Sequence, residues 1–317
     1  MKEKGTLNAA AILRGLAFFV VLTLLPLAIG PQWILNLLVF TVMYAGLASA
    51  WNLVGGYAGY PSLGHAAFFG IGAYAIAILY ETSVGDGYTP FEILPLIGIV
   101  VGVLSLPVGW IAMRTRSDVF AIVTITMLFM AQTLAFNVRG LTGGAQGRSI
   151  APAPFPVNNY DLPFYYAMLA LLAVAIVLSA AIRGSKVGLS LAAVRCDEDK
   201  AHGVGVHVTG VKLIVFAVSA GITAMIGGVW AYYVGFVYPQ FAIDPLVTIG
   251  MVLMAFLGGR GTLWGPVLGA AILVPAQQFL AYRLGASQLY LLGYAAVFLV
   301  IMVLLPRGIL PTLRRSR

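Results

Sequence analysis

The sequence predicts an all-α integral membrane protein of about ten transmembrane helices, with both termini cytoplasmic. Three observations predict it. First, 61% of the 317 residues are hydrophobic and only 9% are charged, against roughly 45–50% and about 25% in a soluble domain; mean hydropathy is +0.98. Second, the apolar residues form runs of the length that crosses about 30 Å of hydrocarbon as helix. Third, Lys and Arg gather on one side of the alternating loops. Eighteen basic and ten acidic side chains cannot solvate a body this large, which excludes a soluble enzyme, a nucleic-acid module and a disordered chain. Ten spans leave no room for a separate soluble domain, so residues 1–317 read as one transmembrane domain.

The predicted spans are about 12–29, 33–54, 63–80, 93–113, 118–137, 164–182, 211–234, 245–258, 264–282 and 288–305. The first follows Lys2, Lys4 and Arg14 as a signal peptide would, but it ends in Ile29-Gly30-Pro31-Gln32-Trp33 without a small-x-small cleavage site, so a retained helix is expected. The eighth is short; it either extends back through 237–243 or is broken. Counted along this topology, all Lys and Arg fall inside except Arg139, Arg148 and Arg283. That is the positive-inside asymmetry, and losing one span would spoil it. Two connections are long. The outer loop, 138–163, is rich in Gly and Pro and has no helical period; the inner loop, 183–210, carries the densest charge in the chain.

Catalytic constellations are missing. Cys196 is alone, so no intrachain disulfide forms, and His65, His202 and His207 lack partners at metal-ligand spacing. No G-x-x-x-x-G-K-[ST] loop occurs. No metal, no cofactor on this chain and no enzymatic activity are expected. The span centres hold neutral polar residues such as Asn36, Asn52, His65, Gln132 and Gln277 rather than the ionised relay of a proton-coupled carrier. That fits a pathway driven from outside the chain.

Glycines mark two interruptions. Gly55, Gly56, Gly59, Gly64, Gly70 and Gly72 surround Pro61, and a second break runs Leu257-Gly-Gly-Arg-Gly-Thr-Leu-Trp-Gly-Pro266. One reading is close helix packing by small residues. The other is an interrupted segment beside a pathway, whose freed backbone groups meet a polar solute. Each break follows one span and introduces the next, which suggests an internal duplication. His65 is open to both readings, as a packing residue or as a pathway lining.

The segment SAWNLVGGYAGYPSLGHAAFFGIGAY, residues 49–74, resembles the permeases of branched-chain amino-acid ABC importers, the LivM/LivH family. The outer Leu141-Thr-Gly-Gly-Ala-Gln-Gly147, the inner stretch 188–205 and the late 257–266 motif are similar to that family's segments too. The outer segment and the chain length favour the LivM side. Arg148-Ser-Ile departs from the family's expected Gly-Ile-like continuation. The resemblance implies a permease subunit paired with a second, homologous permease. It implies two cytoplasmic ATPase subunits, a soluble substrate-binding protein and a place in the bacterial cytoplasmic (inner) membrane. The expected substrates are branched-chain or related aliphatic amino acids, with urea, short amides or other amino acids as the alternative. A passive channel or a membrane enzyme are the readings from other classes; the first leaves the inner loop unexplained, and the second would need clustered Asp and His.

Residues 188–203 are expected to form one amphipathic coupling helix, with Leu189, Ala192, Ala193 and Cys196 on its apolar face. Its polar side carries Arg195, Asp197 and Glu198, and Gly203 and Gly205 end it. Gly188, Ala192, Arg195, Asp197, Glu198 and Gly205 are the expected ATPase-coupling residues. Asn52, Gly64, His65, Gly72 and Gln132 are the expected substrate-pathway residues, on the second, third and fifth spans.

Overall fold

The computed structural model describes residues 9–28, 31–284, 295–296, 299 and 308–315. In chain order the helices are α1 (Ala9–Ala28), α2 (Gln32–Asn52), α3 (His65–Leu79), α4 (Thr89–Glu92), α5 (Leu94–Ala112), α6 (Ser117–Asn137) and α7 (Arg139–Thr142). They continue as α8 (Asp161–Gly184), α9 (Lys186–Cys196), α10 (Glu198–Gly203), α11 (Val208–Val234), α12 (Pro239–Ala242), α13 (Pro245–Gly258), α14 (Gly265–Leu284) and α15 (Ile309–Arg315). Among the described residues, seven helical stretches are long and apolar enough to cross a membrane, and α1 and α3 supply two shorter apolar helices. The chain is an all-α, multi-pass membrane protein. The predicted tenth span, 288–305, lies almost wholly outside the described residues.

The bundle is built around α11, which packs on α2, α3, α5 and α8. Among the seven long apolar stretches of the described residues it is the most buried, and α6 is the least. Glycine sets the α3–α11 crossing. A Cβ on Gly72 would stand 1.9 Å from the Ala224 carbonyl oxygen, and one on Gly227 would stand 2.1 Å from that of Phe69. Backbones approach this closely only where side chains are absent. Gly70 meets Ile243 instead, which explains why two glycines two apart both serve on one helix.

The loops segregate to two ends, as alternation predicts. At the end the charge rule calls external, the 138–163 loop is ordered, contrary to its irregular sequence. It contains α7, two short 3₁₀ turns and strand β1 (Arg148–Ser149), which pairs antiparallel with β2 (Phe236–Val237). Gly143, Gly144 and Gly147 have φ of +73°, +58° and +70°, values L-side chains rarely adopt. Arg148, the departure from the family pattern, donates to Glu81 at 2.5 Å and to the Leu141 carbonyl at 2.6 Å. The predicted eighth span is broken: α12 and α13 are separated at Ile243-Asp244, and Asp244 caps α13 by accepting from the Leu246 amide at 2.8 Å. α8 and α11 each begin three residues earlier than the spans read from hydropathy.

Candidate functional site

The site forms at the opposite, inner end, where the two glycine breaks meet. α2 does not simply stop. It widens into a π-helical turn, Leu53–Ala58, closed by Gly59 at φ +84° and by the Tyr60 amide on the Val54 carbonyl at 3.1 Å. Local sequence forces this path. A Cβ on Gly55 would lie 2.2 Å from the Trp51 ring, and one on Gly56 would lie 1.9 Å from Asn52 Oδ1. Trp51 Nε1 then donates to the Ser62 carbonyl at 2.7 Å, pinning the chain as it passes Pro61. π-turns of this kind recur at functional sites.

α3 starts without a side-chain cap of its own. Other spans satisfy the amides around its start: Leu63 N–H, just before the helix, donates to Thr124 Oγ1 of α6 at 3.0 Å, and Ala66 N–H in its first turn donates to Thr248 Oγ1 of α13 at 2.8 Å. Orphan amides in hydrocarbon are expensive, so these two threonines fix where the half-helix begins.

The second break, between α13 and α14, turns on Gly259 (φ +123°) and Gly261 (φ +77°). Asn52 clasps it with both ends of its amide. Nδ2 donates to the Thr262 carbonyl, and Oδ1 accepts from the Gly261 amide, each at 2.9 Å. The π-turn also leaves two carbonyls that its own helix does not need. Arg260 Nε donates to Gly55 O at 2.7 Å, and Arg195 Nη1 donates to Gly56 O at 2.8 Å. Arg195 belongs to the inner loop, so that loop is tied to the first break, which Asn52 and Arg260 tie in turn to the second.

The inner loop is two helices, not the single one expected from 188–203. Asp197 divides them and caps α10, accepting from the Lys200 amide at 3.0 Å and pairing with its ammonium at 2.9 Å. These contacts with Lys200 hold the Asp197 carboxyl below the usual carboxylate range. The buried face of α9 is Leu191 and Val194. The face read from the sequence as apolar points outward instead: Leu189 is 74% exposed, and Ala192 and Cys196 are exposed with it. One charge turns inward, that of Glu198, while Asp199 and Lys200 stay exposed. Glu198 accepts from Lys212 of α11 at 2.5 Å and from the Tyr60 hydroxyl, and the Lys212 ammonium lies 3.9 Å from the Tyr60 ring centre. A cavity of about 680 Å³ opens here, lined among others by Gly59, Tyr60, Arg116, Arg195, Glu198 and Arg260.

Of the five expected pathway residues, the structure brings Asn52, Gly64 and His65 together at the first break. His65 is fully buried. Ser219 Oγ donates to the Ala50 carbonyl at 2.6 Å, so it must accept from His65 Nε2–H at 2.7 Å. His65 Nδ1 then accepts from Ser62 Oγ at 2.8 Å. Both ring nitrogens are satisfied within the chain. Gly64 sits against the Thr124 backbone, where a Cβ would be 2.5 Å from its carbonyl oxygen. Gly72 lies further along α3, at the α11 crossing. Gln132 is separate: its Nε2 donates to the Ile243 carbonyl at the α12–α13 bend, at 3.0 Å. In the inner loop, Gly188 allows the close α8–α9 turn, since a Cβ there would stand 2.5 Å from the Ile182 carbonyl oxygen, and Gly205 takes φ +87°. Sequence reasoning missed Tyr60, Thr124, Lys212, Ser219 and Thr248. Their only signal was being polar within or beside an apolar run.

A polytopic bundle organised around interrupted helices, with freed backbone groups met by side chains, is the architecture of membrane transport proteins. Residues 33–306 match the family model described as the branched-chain amino acid transport system / permease component, and the chain belongs to that family. It is 29% identical over 303 residues to the high-affinity branched-chain amino acid transport system permease protein LivM of Salmonella typhimurium, covering 86% of this chain and 69% of the relative. To the Escherichia coli protein of the same description it is 28% identical, with the same coverage. No solved structure matches the chain.

Proposed function

We propose that this chain is the permease subunit of an ATP-driven ABC importer of branched-chain or related aliphatic amino acids, resident in the bacterial cytoplasmic membrane with both termini inside. It forms half of the translocation path, and a second homologous permease forms the other half. Two cytoplasmic ATPase subunits drive the pair, and a soluble binding protein delivers substrate. The observation that carries the reading is the outward apolar face of α9. Leu189 at 74% exposure, with Ala192 and Cys196, belongs to the loop that carries the densest charge in the chain. An apolar helix face in an aqueous setting fits a groove on a partner protein. The 138–163 loop is the outer region available to a binding protein, and 183–210 is the coupling loop. The test is uptake into proteoliposomes holding the permease pair, with ATP inside and binding protein outside. ATP-dependent accumulation of leucine supports the reading. Accumulation driven by a proton gradient alone, without ATP or ATPases, rejects it.

A further inference from the structure

Resting on that coupling reading, we propose that Glu198 is the hub of a latch that transmits movement of the inner loop to the first glycine break. Glu198, Lys212 and Tyr60 act in it as positioning residues, not as ATPase contacts. Glu198 opens α10, and its carboxylate joins two other parts of the chain. One oxygen accepts from Lys212 Nζ on α11 at 2.5 Å, and the other accepts from the hydroxyl of Tyr60, which lies between the π-turn and Pro61. The Lys212 side chain is 1% exposed. An ammonium so deeply placed needs its carboxylate, so α10 cannot leave α11 without stranding a charge. The ammonium also stacks on the Tyr60 ring at 3.9 Å, so the three side chains form one unit rather than two separate bonds.

A second tie runs in parallel, from Arg195 Nη1 to Gly56 O at 2.8 Å. Arg195 and Glu198 lie on either side of Asp197, where α9 gives way to α10. Both reach the 53–60 segment, one inside the π-turn and one just past it. A push on α9 and α10 is therefore delivered to the break at two points, Gly56 and Tyr60, four residues apart, which turns the break rather than only shifting it. Gly59, between the two points, has φ +84°, and a Cβ there would be 3.1 Å from Arg195 Cγ, so the break has a hinge that hugs the loop. Asn52 and Arg260 carry the same movement to the second break, through Gly261, Thr262 and Gly55.

The experiment uses the reconstituted complex with both ATPases and binding protein, and compares Tyr60→Phe, Glu198→Gln and the exchange Glu198→Lys with Lys212→Glu. Three quantities are read: ATPase co-purification, ATP hydrolysis, and leucine taken up per ATP. Tyr60→Phe and Glu198→Gln are expected to retain the ATPases and to hydrolyse ATP while uptake per ATP falls, about tenfold for Tyr60→Phe, the scale of one hydrogen bond to a charged group, and further for Glu198→Gln, which also strands the Lys212 ammonium. The exchange should recover part of that loss. A purely structural role would change membrane level and melting temperature without changing the uptake-per-ATP ratio, and that result overturns the proposal. Loss of ATPases from Glu198→Gln overturns it too, because Glu198 would then be a docking contact. If Glu198→Gln does not reach the membrane, Tyr60→Phe decides, since it removes one hydroxyl and leaves the ion pair. A wild-type complex that binds no ATPase rejects the importer reading itself, and the latch with it, whatever the variants do.

Discussion

Replacing Gly72 by alanine adds one methyl group at the tightest approach between α3 and α11. The new carbon would lie 1.9 Å from the Ala224 carbonyl oxygen, 2.5 Å from its carbonyl carbon and 2.7 Å from its Cα. Ordinary contact begins near 3.4 Å, so the helices must part by about 1.5 Å locally. No flexible side chain can yield, because all three atoms are backbone. Overpacking of a well-filled core costs typically about 1–3 kcal/mol, occasionally more. A backbone clash of this depth belongs at or above the top of that range, well beyond the gain of about 1 kcal/mol from replacing a helical glycine. The separation would also open the Gly227–Phe69 crossing, which lies on the same two helices. Gly140 on α7 is the control, since nothing lies within 4 Å of its Cβ position and its φ is ordinary. Thermal unfolding in detergent and leucine uptake in proteoliposomes are measured together. Gly72→Ala should melt markedly earlier and lose transport, while Gly140→Ala stays within about 0.5 kcal/mol of the parent. Equal melting of the two variants would refute the close-crossing account.

Other substitutions test the rest of the site. Asn52→Asp keeps the Gly261 contact but sets a carboxylate against the Thr262 carbonyl, so it should impair transport more than Asn52→Ser, read as initial uptake rate at matched expression. His65→Ala leaves the buried Ser62 hydroxyl without its acceptor, at about 1–3 kcal/mol, while Ser219 keeps the Ala50 carbonyl; the expected signature is a lower melting temperature and slower uptake with binding-protein docking intact. Leu189→Glu, on an exposed position, should leave melting unchanged and sharply reduce ATPase co-purification; full co-purification would mean that the α9 face is not the docking surface. Glu81→Gln breaks a part-exposed pair with Arg148 and should shift stability by no more than about 1 kcal/mol, measured by the same melt.

The apolar helices among the described residues and both breaks were legible in the sequence, because hydrocarbon demands long apolar runs and because Gly and Pro punctuate them. What stood outside its reach has physical causes. Asn52 meets Thr262 across 210 residues, and no local pattern encodes such a pairing. α9 carries two apolar stripes, Leu189–Ala192–Cys196 and Leu191–Val194. Periodicity finds either one but cannot say which is buried, since that depends on what α8, α11 and the π-turn present to it. Lys212 read as an inside charge because it stands at the very start of the predicted 211–234 span; no sequence pattern signals that it is buried there and paired with Glu198 of the preceding short helix. The outer loop looked irregular because three positive-φ glycines and a two-residue strand pair hold it, and neither leaves a hydropathy signal.

The charges and the breaks explain each other. A π-turn frees carbonyl oxygens, and in a low-dielectric setting a free carbonyl demands a donor. Water would serve, but water at that point would also loosen the break. Arg195 and Arg260 supply donors that the chain itself controls, on Gly56 and Gly55. Guanidinium suits the task, since it keeps its charge and spreads it over a planar fork. Fixed charge is costly deep in hydrocarbon, so this solution works only at the membrane's edge. There, an acidic partner such as Glu198 can balance Lys212, and the cavity lined by Arg116 and Tyr60 admits solvent. Deeper in the bundle the same need for satisfied polar groups is met by neutral ones, the Ser62–His65–Ser219–Ala50 chain. The sorting follows from solvation alone. Because one of the two donors sits on the inner loop, satisfying the break also fastens it to the segment with an outward apolar face. A sequence that needs an open turn at that depth therefore acquires a mechanical connection to the inner loop with it.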